Sequence, residues 1–236
     1  ARQGAADAVG HGVAGGQHDD PPAAVCRDRR HGGVERELPG DFLAIAVSNQ
    51  AEMALATNQN FGVLDQGASA VMIPHVITTA DAELAASACK YPPNGIRGVA
   101  GGRRAYGVEN YFQKADDQVQ CLALIEDFEA IANLRELTQV DGIDVFYVAP
   151  SDMAASMGHT GDPGHPDVQR SIEGAIGQIV DAGRVAGTLV NDDNLDQFLS
   201  MGVRCVGVPW QLWLRDSSAT FLSRVTAASG ALNGSV

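Results

Sequence analysis

Two acidic residues stand just past apolar runs in successive stretches of the chain. Glu126 ends Leu122-Ala-Leu-Ile-Glu126, and Asp152 follows Val148-Ala-Pro-Ser151. In parallel α/β folds, the residues that do chemistry lie beyond the carboxyl ends of strands. The two acids are 26 positions apart, the length of one strand–helix unit, so the spacing predicts carboxylates one strand apart at the same mouth. With no third protein anion or histidine expected beside them, such a pair suits a hard divalent cation, Mg²⁺ or Mn²⁺. Its remaining coordination positions take water or substrate. Open positions make the ion a Lewis acid. A 2-oxo acid chelates it through a carboxylate oxygen and the ketone, which stabilises the enolate left when the C3–C4 bond breaks. Acids after strands also serve as helix caps or first-turn acids, and on spacing alone both uses stay open.

The elements that must position these acids are legible from Gly62 onward. Apolar runs at 70–74, 121–125, 143–148, 185–190 and 203–208 read as strands. Between them, 80–90, 128–137, 166–182 and 193–201 read as helices, with a loop through 158–164 and a last helix near 217–226. Strands alternating with helices imply βαβ units and a parallel sheet. Uninterrupted apolar strands fit a sheet covered on both faces. About five units follow residue 60, and the first sixty residues can supply two or three more, which approaches the eight of a TIM-type (β/α)8 barrel. Residues 1–236 are therefore expected to form a single barrel domain. No G-x-G-x-x-G follows a strand, so a dinucleotide fold is disfavoured. Residues 1–60 are an atypical N-terminal portion, rich in Gly, Ala, Asp, Arg and His and lacking either period. They read as degraded barrel units, and an out-of-frame stretch of GC-rich coding sequence would give that composition.

Bulk properties narrow the function classes. In 236 residues, 45% are hydrophobic and 19% charged, ordinary values for a globular chain. A formal charge of −13 opposes binding to a phosphate backbone, which needs clustered Lys and Arg. No run of about 18 apolar residues is present, so no membrane span is expected. Cys26, Cys89, Cys121 and Cys205 show no metal or disulfide spacing. Together with a start that lacks a signal-peptide core, they predict reduced thiols in a cytoplasm.

Several segments together resemble the HpcH/HpaI aldolase family. These are Leu64-Asp-Gln-Gly-Ala68, Val71-Met-Ile-Pro-His-Val76, Tyr91-Pro-Pro-Asn-Gly-Ile-Arg-Gly98, Tyr111-Phe-Gln-Lys-Ala-Asp116 and the Ile125-Glu126 strand end. The longest is Val148-Ala-Pro-Ser-Asp-Met-Ala-Ala-Ser-Met-Gly158, continuing through Gly164-His-Pro-Asp-Val-Gln169. The resemblance covers about residues 62–225 in order and with matching spacing. It implies a phosphoenolpyruvate/pyruvate-type barrel and a class II aldolase that cleaves 4-hydroxy-2-oxo acids to pyruvate and an aldehyde. It also implies a cofactor of Mg²⁺, Mn²⁺ or Co²⁺, and assembly as a homotrimer or homohexamer. The family's metal carboxylates fall on Glu126 and Asp152. Its pyruvate-carboxylate site falls on the backbone of Pro150, Ser151 and Asp152, a nest of N–H groups that leaves side chains free. Its general base falls on His31, with Asp28 to fix the tautomer.

Departures from the family pattern sit early in the chain. Asp28-Arg-Arg-His31-Gly32 has Arg30 at an acidic position, and residues 44–57 hold no arginine where the family has one to polarise the ketone. Arg103 or Arg104 is the candidate substitute; by default Arg97, Arg103 and Arg104 read as a solvated loop. His75 follows a strand, which can put it at the mouth, and is expected to be a hydrogen-bonded structural histidine. Trp210 and Trp213 read as packing or subunit contacts. A Schiff-base mechanism needs a strand-end lysine, and Lys90 and Lys114 are helical or loop positions. The alternatives are a CoA-ester lyase of the citrate-lyase type, and a non-catalytic barrel that keeps the metal pair without its base and arginine. Pyruvate and succinate semialdehyde from 4-hydroxy-2-oxoheptanedioate, in aromatic catabolism, is the reaction that gives the family its name.

Overall fold

The computed structural model describes residues 45–47, 63–65, 67–99 and 105–233. Six strands make one sheet: β1 (Ile45–Val47), β2 (Ala70–Ile73), β3 (Gln120–Ile125), β4 (Val145–Val148), β5 (Ala186–Leu189) and β6 (Cys205–Gly207). All neighbours are parallel and hydrogen-bonded in chain order. A doubly wound sheet reverses its order at a switch point. This one never reverses, so each crossover steps the same way, as in a barrel wall. β1 comes from within the atypical first sixty residues, so that portion contributes a strand to the wall.

The helices are α1 (Thr79–Ala88), α2 (Tyr111–Ala115), α3 (Phe128–Ala132), α4 (Leu134–Leu137), α5 (Pro150–Ser156), α6 (Pro166–Asp181), α7 (Leu195–Ser200) and α8 (Trp210–Asn233). Thr78 opens α1 with a reciprocal capping box to Asp81. The single helix expected over 128–137 is broken at Asn133, whose side-chain amide donates to the Ile77 carbonyl at 3.0 Å. The short helix α5 stands where no helix was expected.

Strand residues alternate between two apolar layers. Val71, Ile73, Cys121, Ala123, Ile125, Phe146, Val148 and Ala186 pack with the helices. Ala70, Leu122, Leu124, Val145, Tyr147 and Cys205 form a separate cluster on the other face. Both faces being apolar is why the strands showed no polar alternation. Cys89, Cys121 and Cys205 are all buried.

Tyr147 tiles the inner layer across two glycines. A Cβ on Gly207 would lie 2.2 Å from the Tyr147 hydroxyl, and one on Gly187 would lie 2.6 Å from the ring. Overpacking of this kind costs about 1–3 kcal/mol, so Gly207→Ala is expected to destabilise the fold by that amount in a denaturant titration. In a Tyr147→Phe background, where the colliding oxygen is gone, most of the loss should vanish. An equal loss in both backgrounds would refute the tiling.

α8 departs from expectation. It is far longer than the 217–226 stretch, and Trp213, Leu214, Phe221, Leu222 and Val225 are exposed. Leu214, Phe221 and Val225 fall on one line of the helix at 100° per residue, an apolar stripe that is largely exposed. No helix of the described residues is long and apolar enough to cross a membrane.

Candidate active site

The side chains of Gln120, Leu122 and Leu124 alternate onto the inner face of β3, and that parity continues to Glu126, one residue past the strand. It is 5% exposed. β2 ends one strand away, and two residues past it His75 takes a left-handed φ of 54°. That conformation costs a non-glycine residue about 1 kcal/mol and persists only where surroundings impose it. Here it aims the His75 N–H at Glu126 Oε1, 2.9 Å away. The ring meets the neighbouring acid, with Nδ1 2.9 Å from Asp127 Oδ2 and 3.5 Å from Glu126 Oε1.

Asp152 approaches from the next strand. Ala149 precedes α5, Pro150 opens it, and Asp152 is the acid of its first turn. Proline contributes no N–H and is suited to this position, which leaves the backbone donors of Ser151 and Asp152 at the helix start. The far end of α5 is tied to β3's loop, since Ser156 Oγ accepts the Phe128 N–H at 2.9 Å.

Electrostatics follow from this crowding. Burial holds the Glu126 carboxyl above its usual range, and the charges of Asp152 and Asp127 push the same way; the His75 N–H and ring oppose them. The His75 imidazole is raised chiefly by its hydrogen bond to Asp127, against its own burial, with help from the charges of Glu126, Asp127 and Asp152. A buried acid ringed by two others is a concentration of negative charge that a cation relieves. His75, Glu126 and Asp127 bring three ligand atoms within 4.8 Å of one another. The donor set therefore fits a divalent ion.

This corrects one expectation directly: a third anion, Asp127, and a histidine, His75, do lie beside Glu126. His75 is hydrogen-bonded, as anticipated, and lies at the mouth beside Glu126. Its position after a strand was the available signal, and Asp127 shares a strand end with Glu126. The solvated-loop reading of Arg97 is also overturned. Arg97 is 1% exposed and pairs with Asp65 at 2.6 Å, 32 positions earlier and before β2. Lys90 follows the end of α1 and Lys114 lies in α2, so neither ends a strand. His31, Asp28, Arg103 and Arg104 lie outside the described residues. Among the described residues, no arginine is paired with Glu126, Asp127 or Asp152.

Because an imidazole orients and tunes such a centre, His75→Ala is expected to weaken Mn²⁺ or Co²⁺ binding by about 10–100-fold. Equilibrium titration measures it, and an unchanged affinity would remove His75 from the site. Protons compete with metal at Glu126 at a higher pH than at an ordinary carboxylate, so affinity should fall as pH is lowered toward that raised pKa.

Comparison with known proteins completes the picture. The HpcH/HpaI aldolase/citrate lyase family model matches residues 45–212. A hydroxypyruvate/pyruvate aldolase of Pseudomonas aeruginosa is 41% identical over 160 residues, 65% of this chain and 60% of that protein. A 4-hydroxy-2-oxo-heptane-1,7-dioate aldolase of Klebsiella pneumoniae is 40% identical over 164 residues, 66% of this chain and 62% of that one. The chain thus spans about three fifths of the length of the curated relatives it matches. A solved HpcH/HpaI aldolase/citrate lyase family protein of Burkholderia cenocepacia superposes with a TM-score of 0.67 at 28% identity, over 77% of this chain and 73% of that one. The crystal structure of an HpcH/HpaI aldolase from Desulfitobacterium hafniense gives 0.65 at 23% identity, over 77% and 71%, and bears on the fold alone. The fold is TIM-barrel-like, and the chain belongs to the HpcH/HpaI aldolase/citrate lyase family.

Proposed function

We propose that the protein is a divalent-metal-dependent aldolase that cleaves 4-hydroxy-2-oxo acids to pyruvate and an aldehyde. The observation that carries this is the buried Glu126 at the inner strand end, with Asp152, Asp127 and His75 gathered around it. Glu126 and Asp152 would hold the ion, with His75 and Asp127 beside them. When bound, the ion supplies Lewis-acid stabilisation of negative charge on the substrate's oxygens. A neighbouring imidazole favours Mn²⁺ or Co²⁺ over Mg²⁺.

The chain's own groups do the rest. The Ser151 and Asp152 N–H groups at the start of α5 receive the pyruvate carboxylate. His75 Nδ1, bonded to Asp127, has its tautomer fixed by that carboxylate and its ring held at the mouth. The proton of the substrate's 4-hydroxyl is removed by His31, oriented by Asp28. A closed eight-stranded barrel over residues 1–236 in a cytoplasmic protein completes the reading. Assembly as a homotrimer or homohexamer is supported by the exposed apolar residues Leu214, Phe221 and Val225 of α8.

The lack of an arginine paired with the acids among the described residues favours one second reading, a barrel that binds metal and 2-oxo acid without turning it over. Pyruvate release from 4-hydroxy-2-oxoheptanedioate, coupled to lactate dehydrogenase, separates the two. Turnover abolished by EDTA and restored by Mn²⁺ or Co²⁺ supports the aldolase. A folded, metal-loaded protein without turnover on this or related 2-oxo acids supports the binding barrel.

A further inference from the structure

We infer that His159, His165 and Asp167 form a second metal site, separate from Glu126, which takes Zn²⁺. The three residues sit where the loop after α5 enters α6, and their ligand atoms lie within 4.8 Å of one another. The two imidazoles are stacked, with centroids 3.7 Å apart and planes at 16°. His165 Nδ1 is 3.9 Å from Asp167 Oδ2. A tetrahedral ion with bonds of about 2.1 Å needs ligand atoms about 3.4 Å apart, so closure asks for movements of roughly 1 Å. The stacked planes hold the in-plane lone pairs nearly parallel, so one ring must also turn out of the stack to share the ion, and both rings are only partly buried.

The backbone brings these groups together before any ion binds. His159 N–H donates to Ala154 O at 2.7 Å, Asp162 N–H to His159 O at 2.9 Å, and His165 N–H to Asp162 O at 3.2 Å. Gln169 Nε2 donates to Pro163 O at 2.7 Å, closing the loop from the α6 side. Gly158 and Gly161 take φ values of 83° and 84°, turns that side-chain-bearing residues resist. Arg170 engages only Oδ1 of Asp167, leaving Oδ2 on the histidine side. The Asp167 N–H contact to His165 Nδ1 is long, 3.2 Å, and exposed, so an ion displaces it readily.

Donor chemistry selects the metal. Two imidazoles and one carboxylate suit Zn²⁺ and similar borderline ions, whereas Mg²⁺ prefers an all-oxygen shell. Three protein ligands leave a fourth position for water. The ion would pin the loop between α5 and α6, and α5 carries Ser151 and Asp152 at its other end. The inference does not rest on the aldolase reading, because none of its ligands belongs to the Glu126 group.

The test uses the full chain with the first site disabled, as Glu126→Gln with Asp152→Asn and His75→Ala. Zn²⁺ titrated calorimetrically should bind once per chain, with excess Mg²⁺ failing to compete. Adding His159→Ala, a side chain that caps nothing, should weaken that binding at least about tenfold. Co²⁺ in place of Zn²⁺ should give visible absorption bands that the same variant loses. Absence of Zn²⁺ uptake, or uptake indifferent to His159→Ala, overturns the site.

Discussion

Glu126→Gln is expected to lower metal-dependent pyruvate release by about three orders of magnitude while leaving the fold intact. The Lewis-acid contribution of a bound ion is several kcal/mol, and about 1.4 kcal/mol corresponds to each tenfold in rate. Glutamine keeps the shape and an oxygen to accept the His75 N–H, now at 2.9 Å, so the strained backbone at residue 75 stays supported. What it removes is the charge. Burial already disfavours that charge, so thermal stability without metal should be unchanged or slightly higher. The combination is diagnostic: a structural acid would lose stability on neutralisation, whereas a metal ligand loses affinity and turnover. Mn²⁺ titration with turnover in parallel measures both. Retention of wild-type affinity and rate would assign the metal elsewhere.

The sequence carried the site's frame further than its details. The positions of Glu126 just past β3 and Asp152 just past β4 were legible because they depend on chain spacing, and spacing survives folding. Parity along β3 then fixes which way Glu126 faces. The His75–Asp127 contact spans 52 positions and depends on a left-handed φ at a histidine, which no period of 2 or 3.6 announces. Asp127, next to Glu126, carried no pattern of its own. The break at Asn133 was hidden for a similar reason, since one side-chain amide reaching Ile77 O outweighs local helix propensity. The reach of α8 was underestimated because several of its apolar residues are exposed, so an apolar stripe could not mark its ends.

Arg97 shows the same limit more sharply. Three arginines within eight positions of a Gly-rich segment resemble a solvated run, yet Arg97 is among the largest fully buried side chains. Its partner Asp65 precedes β2, and Arg97 itself precedes β3. Both therefore lie on the N-terminal side of the wall, opposite the acids, where such residues serve stability.

Asp65→Ala is accordingly expected to be among the most damaging single changes. Arg97 lies under the Tyr91 ring, its guanidinium carbon 4.5 Å from the centroid. Its Nη2 bonds Asp65 at 2.6 Å, while Nε and Nη1 make no hydrogen bond. Tyr91 is itself held in place, its N–H on Asp116 at 2.8 Å and its hydroxyl 3.4 Å from Asp65. Removing the carboxylate leaves a buried cation that, among the described residues, keeps only the Tyr91 ring face, and breaking such a pair costs about 3–5 kcal/mol. For a chain of this size that is a fall in Tm of roughly 6–20 °C at about 2–4 °C per kcal/mol. Replacing both partners, as Asp65→Leu with Arg97→Met, removes the charge along with its counter-charge and should recover most of the loss. Mn²⁺ affinity, measured where all variants are folded, should not change, because Glu126 sits at the other end of the strands. A loss below about 1 kcal/mol for Asp65→Ala would mean the pair behaves like an exposed one. A double variant no better than the single would place the damage in packing around Tyr91 instead of in the uncompensated charge.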